Sequence, residues 1–536
     1  MSGITRMKFG AVDAGFIFVS LSVCYIIVRR FVLRSRTTRL KGPSTNNFLF
    51  GMMPVLMDAH DAGAVYEEWA HAYGPVFAVP SFLGGRRIVI ADPKAIAHFF
   101  SKETYGYIQT PPSKRFLEKM IGRGLFWAEG DSHKRQRRQL NPAFSNNSIK
   151  ALTPIFFDSA YKAKAAWDAK LESSPSQEVI IDVQQWMNYI SLDTIGLAGF
   201  SHDFGALSGK KSYVAEAFDS VGVKSSAFGS AVFLLSFILP VFEKVPTVRR
   251  AMLAKLHETL QGLSDSFVAR TKREKAEGNV SNGDKSVIGL LAKSASAERI
   301  SEEEVKAQIN VLLLAGYETT AISLTWALIE LSRHPEIQTK LRDEIFRAGG
   351  DPSWDELTSS MPYLDAVTCE LLRMYPPLKE SQRIAVEDDL LPLSAPIETA
   401  AGTRVEAVFV GKGTVVTLPI QAMNRSVAFW GPTAKTFDPE RWLNASKGAD
   451  AHRAQEIQGY RHLLTFSDGA RTCLGKGFAL AEFKAVLTVL VRNFTFEFPK
   501  GPETVIGKHI NILPRPKVDG EDGYRVPLRI RHFVAE

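Results

Sequence analysis

The sequence predicts a mainly α-helical protein with a small β region, preceded by a single N-terminal transmembrane helix. Helical apolar periodicity dominates two segments, 150–345 and 475–492. Strand-like segments, broken by Gly and Pro, are found at 76–91 and 383–420. An uncharged N-terminal stretch followed by many cations indicates the transmembrane helix.

The chain is long enough to bury a large core. It has 536 residues, of which 45% are apolar, 10% aromatic and 23% charged, and this composition excludes disorder, collagen and coiled coil. No repeat of fixed period divides the chain into similar units. We expect a membrane anchor at 1–33, a basic linker at 34–45 and one large domain at 46–536.

The N-terminal stretch is typical of a membrane anchor. No charged residue interrupts Ala14–Val28, and apolar residues on both sides extend this run towards the roughly 20 residues that a spanning helix needs. Two cations precede the run and six follow it up to Lys41, which places the C-terminal side in the cytosol. A secretory signal would need small residues at a cleavage site, where Arg29 and Arg30 stand instead. The third interpretation is a buried helix of a soluble core, and it does not explain why many more cations follow the run than precede it.

The charge distribution argues against a nucleic-acid partner. The net charge is +8, but residues 1–41 contain eight Lys and Arg and a single acid, Asp13. The rest of the chain is therefore almost neutral, and it contains no basic stripe with interleaved aromatic residues.

Cysteines are scarce in this chain, which has only Cys24, Cys369 and Cys473. They are too few for a disulfide framework, and too few for a zinc or iron–sulfur site built from several cysteines. We therefore expect a fold held by packing, in a reducing compartment.

Cys473 stands directly before an amphipathic helix. Unpaired backbone N–H groups at a helix N-terminus favour a thiolate and lower the pKa of such a cysteine. Neighbouring glycines allow tight turns and the close approach of a flat ligand, and Arg471 can pair with a ligand carboxylate. One alternative is a buried structural cysteine. Another is a cysteine nucleophile, for which no histidine and carboxylate partners are indicated.

The motif around Cys473 resembles the haem-binding signature of the cytochrome P450 family, Phe-x-x-Gly-x-Arg-x-Cys-x-Gly. Its matching residues are Phe466, Gly469, Arg471, Cys473 and Gly475. The resemblance covers essentially the whole chain and implies the cytochrome P450 fold, with Cys473 as the axial thiolate ligand of the haem iron. It implies heme b (iron protoporphyrin IX), because covalent c-type attachment would need Cys-x-x-Cys-His.

A second motif lies at the centre of an apolar helix predicted at 301–332. Its residues are Ala315-Gly316-Tyr317-Glu318-Thr319-Thr320. Gly, Thr and an acid are locally unfavourable in such a helix, and at a buried position they suggest function. They match the (Ala/Gly)-Gly-x-(Asp/Glu)-Thr-Thr element of the family. The resemblance implies a helix kink at this point that makes room for O₂. It also implies a catalytic pair, in which Thr319 hydrogen-bonds the activated oxygen and Glu318 relays protons. The alternative is a solvent-facing Glu318 and a Thr319 that bonds its own helix.

A third motif is expected to stabilise the fold and not to take part in chemistry. Glu370 and Arg373 stand three residues apart, so they share one helical face and can pair. In the family, a Glu-x-x-Arg pair at this location is joined by an arginine from a Pro-Glu-Arg segment, which here ends at Arg441. The resemblance therefore implies a structural cluster of these three residues near the haem.

A haem brings two carboxylates into a partly buried site, so cations must meet them. The resemblance implies Arg471, Arg383 and Arg137 for this role. It adds His133, which stands where the family often has tryptophan and still offers an N–H donor. Surface charge is the alternative interpretation of Arg137.

The resemblance implies a haem-thiolate monooxygenase of the membrane-anchored, class II eukaryotic type, in the endoplasmic reticulum membrane with its catalytic domain in the cytosol. It would insert one atom of O₂ into a lipophilic small molecule and reduce the other to water. The chain looks like a fungal enzyme of secondary metabolism, acting on a terpenoid or a similar compound. No dinucleotide-binding fingerprint appears, so we expect electrons from NADPH through a separate NADPH-cytochrome reductase, with cytochrome b5 as a further candidate donor.

The resemblance also assigns the walls of a substrate pocket. They are 105–126, 220–242, Asn310–Ala315, Leu378–Glu380 and Asn511–Leu513. Lys379 and Glu380 depart from an apolar wall, and they either read a polar group or are solvated. Two other functions stay open: a haem-thiolate isomerase or dehydratase that needs no O₂, and a non-catalytic haem sensor or carrier. The intact Glu318–Thr319 pair argues against the isomerase.

Overall fold

The computed structural model describes residues 37–222, 244–276, 301–443 and 451–534, with single positions within 229–242 and at 287 and 289. The predicted anchor at 1–33 lies outside the described residues, as does most of 220–242. Among the described residues, one helix is long and apolar enough to span a membrane, Glu302–Arg333, and 78% of its apolar window is buried within the protein. We interpret it as a core helix, since an all-apolar helix inside a large domain is buried by its neighbours.

Helices form most of the domain. In chain order they are α1 (Met53–Asp58), α2 (Ala62–Tyr73), α3 (Pro93–Ser101), α4 (Pro111–Ile121), α5 (Gly130–Leu140), α6 (Asn146–Glu172), α7 (Val183–Phe200), α8 (Tyr213–Ser220), α9 (Val248–Ala276), α10 (Glu302–Arg333), α11 (Pro335–Arg347), α12 (Trp354–Ser359), α13 (Pro362–Met374), α14 (Ile420–Asn424), α15 (Val427–Trp430), α16 (Glu440–Leu443), α17 (Ala451–Ala454) and α18 (Lys476–Asn493). Local sequence explains where they begin: prolines occupy the first turn of several, and the Ser301 hydroxyl caps α10 by accepting the Glu304 N–H at 3.2 Å.

Short strands make up the β region. They are β1 (Val76–Pro80), β2 (Arg86–Ile90), β3 (Tyr107–Gln109), β4 (Glu178–Asp182), β5 (Ser381–Ala385), β6 (Asp389–Glu398), β7 (Arg404–Val410), β8 (Val415–Leu418), β9 (Phe494–Glu497), β10 (Ile506–Ile510), β11 (Pro514–Val518) and β12 (Pro527–His532). The largest sheet has the order β1-β2-β8-β5-β3, in which β2 and β8 run parallel. A second sheet has the order β4-β12-β9, and β6–β7 and β10–β11 form two-stranded sheets.

The prediction of a mainly helical protein with a small β region is confirmed. The strand-like segment 76–91 contains β1 and β2, and 383–420 contains most of β5 and all of β6 to β8. The strands β3, β4 and β9 to β12 were not predicted, and β4 lies within the segment 150–345 that was expected to be mainly helical.

The core is built around α10, which packs against α7, α9, α13 and α18. Leu324, Leu328 and Leu331 on this helix are completely buried. A second apolar cluster joins α3 to the largest sheet. The apolar core around α10 fixes the position of that helix, and the second cluster fixes the position of the loop before α18. These two elements contain the two main sequence motifs.

The chain is already packed on the domain at Thr38, within the predicted linker at 34–45. The Thr38 N–H donates to the Phe409 carbonyl at 3.0 Å, and the Lys41 carbonyl accepts the Ala78 N–H at 2.9 Å. A Cβ at Gly42 would lie 1.9 Å from the Ala78 carbonyl oxygen, so glycine is required for this approach. The described part of the predicted linker is therefore folded chain.

Candidate active site

Cys473 lies in a tight turn that leads into α18. Its backbone N–H donates a hydrogen bond to the Phe466 carbonyl at 2.7 Å, which closes the loop between these residues. Gly469, within the loop, has a φ of +63°, and a Cβ there would lie 2.6 Å from the Phe100 carbonyl oxygen, so only glycine fits. At Gly475 the atom nearest to an added Cβ is 3.9 Å away, which leaves room beside the cysteine.

The Cys473 side chain is accessible and yet enclosed by protein. It is exposed by surface area, but burial raises the pKa of its thiol, outweighing the Gly475 N–H and the charges of Arg137 and Lys476, which lower it. A group that is both accessible and surrounded lies on the wall of a recess. The sequence predicted a lowered pKa for the Cys473 thiol, and this is wrong because the net shift is upward. Taken by itself, the Gly475 N–H does lower the pKa, as predicted for a helix N-terminus. A coordinated metal deprotonates a thiol outright, so the raised pKa does not oppose a thiolate ligand.

The centre of α10 is buried except for one partly accessible face. Ala315, Gly316 and Thr319 are partly accessible, whereas Tyr317 and Glu318 are buried. Residues four apart share a helical face, so Ala315 and Thr319 line the same surface. The Thr319 hydroxyl donates to the Ala315 carbonyl at 2.7 Å, which is the self-bonded arrangement that the sequence left open.

Glu318 lies off that face, in a fully buried polar network. Its carboxylate accepts hydrogen bonds from Arg515 Nη2 at 2.7 Å, from Asn511 Nδ2 at 3.1 Å and from the Leu513 N–H at 3.1 Å. Burial raises its pKa, and the charge of Arg515 opposes that shift. Arg515 Nη1 also donates to Asp219 in α8 at 2.7 Å. The alternative of a solvent-facing Glu318 is therefore wrong.

Gly316 is explained by packing. The helix runs without interruption from Glu302 to Arg333, so the structure shows no break where a kink was expected. A Cβ at Gly316 would lie 2.8 Å from Ile195 Cγ1 of α7, closer than real side chains approach. The glycine allows α7 and α10 to lie in close contact.

The four predicted haem-carboxylate partners lie near one another. His133 is 3% exposed. Burial, and then the positive charges of Arg471, Arg137 and Arg383, lower its pKa to about 4. The imidazole is therefore neutral at physiological pH, and its ring can donate through one N–H only.

The guanidinium groups of Arg383, Arg137 and Arg471 already donate some of their hydrogen bonds to protein acceptors. Arg383 pairs with Glu103 at 2.8 Å, and Arg137 donates to the Thr472 carbonyl at 2.6 Å. Arg471 pairs with Glu129 and also donates to the Ala128 carbonyl at 2.6 Å. These bonds orient the three side chains.

The remaining donors fit a ligand with two carboxylates. The Nε atoms of Arg383 and Arg471 are buried and have no acceptor among the described residues. Buried donors without partners are costly, so the cluster favours additional anions. The propionates of a haem held by Cys473 would supply them, since Arg137 is close enough to Cys473 to influence its charge.

Residues 41–518 match the family model for cytochrome P450. The chain belongs to the cytochrome P450 family. It is similar to cytochrome P450 monooxygenase claP of Ampulloclitocybe clavipes, with 55% identity across 98% of each chain, and to claQ of the same fungus, with 54% identity across 98% of each. Cytochrome P450 monooxygenase 128 of Postia placenta is 33% identical over 92% of each chain. The protein is thus a haem-thiolate monooxygenase with the P450 fold, and enzymes of this family use O₂, a redox partner and a lipophilic substrate.

In this P450, Glu370 of α13 is completely buried within a dense polar cluster. Arg373 donates to its two oxygens from Nε at 2.9 Å and from Nη2 at 2.8 Å, a bidentate pair. Arg441 Nε lies 3.6 Å from the same carboxylate, and Trp442 Nε1 donates to it at 2.9 Å. The structure therefore brings the three predicted residues together, and Trp442 is an additional member.

Several residues of the P450 site were missed by sequence reasoning. Glu103 and Glu129 neutralise the arginines, and Arg515 holds Glu318, yet none of the three stands inside a recognised motif. Asn511 was assigned only to a pocket wall, and here it bonds Glu318. No local pattern indicates such partners, because each is brought in by tertiary packing.

Two residues of the predicted pocket wall have different surroundings. Glu380 accepts hydrogen bonds from the Tyr66 hydroxyl at 2.5 Å and from Gln382 at 2.7 Å, and it lies 3.4 Å from Arg87 Nη1. Glu380 therefore belongs to a network of protein hydrogen bonds. Lys379 lines a separate cavity, in contrast to its neighbour.

Another cavity lies between α4 and α9, within the predicted wall segment 105–126. Its volume is about 300 Å³, and Phe116, Met120 and Leu253 contribute apolar surface. Arg115 and Arg250 lie at the same cavity and supply charge. This combination suits a lipophilic molecule that carries a polar group.

Proposed function

We propose that this P450 is a single-pass protein of the endoplasmic reticulum membrane that hydroxylates or epoxidises a lipophilic secondary metabolite, such as a terpenoid. The observation that carries the proposal is the accessible Cys473 beside a cluster of three arginines, two of which, Arg383 and Arg471, have a buried donor without an acceptor among the described residues. The relatives with 54–55% identity are fungal enzymes named as monooxygenases, which supports the general reaction.

We assign Cys473 as the residue that would hold the iron of heme b through its thiolate. Arg137, Arg383 and Arg471 would hold the haem carboxylates, and His133 would donate one neutral N–H bond. Gly469 keeps the turn compact, Gly475 leaves room beside Cys473, and the Phe466 carbonyl closes the turn by accepting the Cys473 N–H. When haem is bound, its iron activates O₂ so that one oxygen atom enters a substrate C–H or C=C bond and the other leaves as water.

We assign Thr319 and Glu318 to proton handling. The Thr319 hydroxyl lies on the accessible face of α10, where it can donate to a group on that face after it leaves the Ala315 carbonyl. Three donors hold the Glu318 carboxylate, two of them on Oε1 and one on Oε2, so Oε2 keeps acceptor capacity for a proton. Burial raises the Glu318 pKa, which favours proton uptake by this carboxyl, and Arg515 opposes that shift.

We expect electrons from NADPH through a separate reductase that docks near Cys473, with cytochrome b5 as a further candidate donor. Lys134, Arg138 and Lys150 are exposed on the nearby helices α5 and α6. A face with such charges complements an acidic partner and speeds its association.

The test uses the full-length chain in microsomes with a NADPH-dependent reductase. Libraries of terpenoids, fatty acids and aromatics are screened by mass spectrometry for the gain of one oxygen atom, with and without NADPH and O₂. Cys473→Ala should abolish both the product and the red-shifted Soret band of the reduced, carbon monoxide-bound protein. The matched control is Cys369→Ala, which removes a buried thiol whose pKa burial raises to about 12.

Two results would contradict the proposal. Product that forms without NADPH and O₂ would indicate the isomerase or dehydratase. A correctly loaded protein with the red-shifted Soret band that turns over no lipophile would favour the haem sensor.

A further inference from the structure

A cavity of about 610 Å³ lies between the C-terminal half of α10, the Pro376-Pro377 segment after α13, and the β10–β11 pair. We call it the basic cavity. Five cations contribute to its lining: Arg333, Lys379, Arg425, Lys508 and Arg515. The lining contains two carboxylates, Asp61 and Glu503. Neither Cys473 nor Thr319 lines it, and its one link to the catalytic pair is Arg515, which lies between the cavity and Glu318.

Lys379 differs from the other cations of the basic cavity. Arg425 pairs with Asp61 at 2.8 Å, and Lys508 donates to the Met57 and Ala59 carbonyls at 2.5 and 2.6 Å. Arg333 and Arg515 are held by acids of α10 and α8. No hydrogen bond or ion pair holds the Lys379 ammonium within the part of the chain that the structure describes.

The electrostatic environment of Lys379 is deficient in negative charge. Burial lowers its pKa, and repulsion by Lys508 and Arg425 adds to this effect, whereas the single acid Asp61 opposes it. Asp61 is already occupied, because it also accepts the Gly63 N–H at 2.9 Å at the start of α2. An anion in the cavity would relieve the repulsion and satisfy the ammonium.

Two further donors at the basic cavity have no acceptor. The Nε atoms of Arg425 and Arg515 are buried and unpartnered among the described residues, and the Arg515 side chain is completely buried. Arg515 has already committed both terminal nitrogens to Asp219 and Glu318. One ammonium and single N–H groups match the two oxygens of a carboxylate better than the three terminal oxygens of a phosphate.

Part of the remaining lining is apolar or aromatic, and His60, His334, Gln421 and Thr504 add polar groups. Trp326 and Tyr375 stack with their ring centroids 3.9 Å apart and their planes 7° from parallel, and Ile322 lies one turn before Trp326 on α10. The volume falls within the range of small-molecule sites, which is about 300–1,000 Å³. A ligand with an apolar body and one carboxylate would meet both kinds of surface.

We propose that the basic cavity binds the carboxylate of a lipophilic acid, with Lys379 as its charge partner, at a site separate from the catalytic centre. The proposal stands independently of which substrate is oxidised, because it concerns binding and not turnover.

The test uses the full-length, haem-loaded protein in detergent and two matched probes, phenylbutyrate and phenylbutanol. Calorimetry measures the affinity and stoichiometry of each probe, and the Soret band reports binding next to the haem iron. We expect phenylbutyrate to bind at a site that leaves the Soret band unchanged, and phenylbutanol to be weaker there by about tenfold, the effect of one charge-assisted bond.

Lys379→Met should weaken phenylbutyrate binding by about tenfold, and Lys379→Arg should largely retain it. Lys412→Met, which removes an exposed lysine elsewhere on the surface, is the matched control and should bind like the wild type. If Lys379→Met does not fold, Lys508→Met provides the second variant, and it too should bind more weakly. Equal affinities of the two probes, unchanged binding in both variants, or a Soret shift that accompanies all phenylbutyrate binding would overturn the proposal.

Discussion

Thr319 and Glu318 are neighbours in the sequence, but their side chains have different surroundings. Thr319 lies on the accessible face of α10, and its hydroxyl donates to the Ala315 carbonyl 2.7 Å away. Glu318 is buried and bonded to three donors. Thr319 is therefore placed to contact a molecule bound on that face, whereas the Glu318 carboxylate is held away from it by its donors.

Thr319→Ala should lower the amount of product formed per NADPH consumed by about tenfold or more, because a positioned proton donor is lost. The measurement compares product yield with NADPH consumption in the reconstituted system. Thr325→Ala is the matched control, since Thr325 makes the same type of bond to the Ala321 carbonyl, at 2.8 Å, but is completely buried. Unchanged coupling in Thr319→Ala would show that this hydroxyl handles no protons.

Arg515→Met should make folding stability depend on the charge of Glu318. Burial already raises the Glu318 pKa above its ordinary value of 4.5, and Arg515 is the main group that opposes this shift. A carboxyl whose pKa is raised on folding contributes less stability as pH increases, because the folded state must keep a proton or bury a charge. The melting temperature of the variant should therefore fall relative to the wild type as pH rises from 4.5 towards neutrality.

The control for this experiment is the double variant Arg515→Met with Glu318→Gln. The glutamine at position 318 does not titrate, so the pH dependence of the melting temperature that Arg515→Met adds should disappear. Identical pH curves for the single and double variants would exclude Glu318 as the source.

The residues that stand in fixed motifs could be located from the sequence, because a motif contains both residue types and spacing. Cys473, Arg471 and Glu370 are of this kind. Their counter-charges could not be located: Glu129 meets Arg471 across 342 residues of chain. Such pairs depend on how distant segments pack, and no local pattern records that.

The contact between α7 and α10 depends on Gly316. Gly316→Ala should destabilise the protein by about 1–3 kcal/mol, since the new Cβ would lie 2.8 Å from Ile195 Cγ1. The measurement is chemical or thermal unfolding of the haem-loaded protein.

Two controls separate packing from helix propensity. Gly262→Ala in α9 has no atom within 4 Å of the added Cβ, and should stabilise by about 1 kcal/mol. In an Ile195→Ala background the cost of Gly316→Ala should become much smaller. If that cost is the same in both backgrounds, the contact with Ile195 is not its cause.

Among the elements, helices with long periodic patterns could be predicted and several strands could not. The strand β4 pairs with β12, from Glu178 opposite Arg531 to Asp182 opposite Pro527. The pair β10–β11 contains Pro514 and Pro516, which normally argue against a strand. These strands are short and gain their stability from distant partners, so local sequence carries little information about them.

For the molecule as a whole, the N-terminal segment is predicted to supply membrane attachment. Removal of residues 1–36 should release the protein from washed membranes and retain the red-shifted Soret band, because the described contacts of the domain begin at Thr37. The measurement is membrane fractionation followed by carbon monoxide difference spectroscopy.

A slightly longer truncation is the matched control. Removal of residues 1–41 also removes Leu40, which is 2% exposed, and should cost about 1.5–3 kcal/mol for the lost apolar burial. Retention of the shorter truncation in washed membranes would show that another part of the chain holds it there.

The hydrogen bond from Arg515 to Glu318 joins residues 197 positions apart. In a chimera of this chain and a relative, Arg515 and Glu318 come from different parents whenever the crossover falls between these two residues. Such a hybrid buries an uncompensated carboxylate unless the incoming segment brings a cation to the same place. Crossovers placed before residue 301 or after residue 518 keep donor and acceptor from a single parent, and recombination libraries should place their breakpoints there.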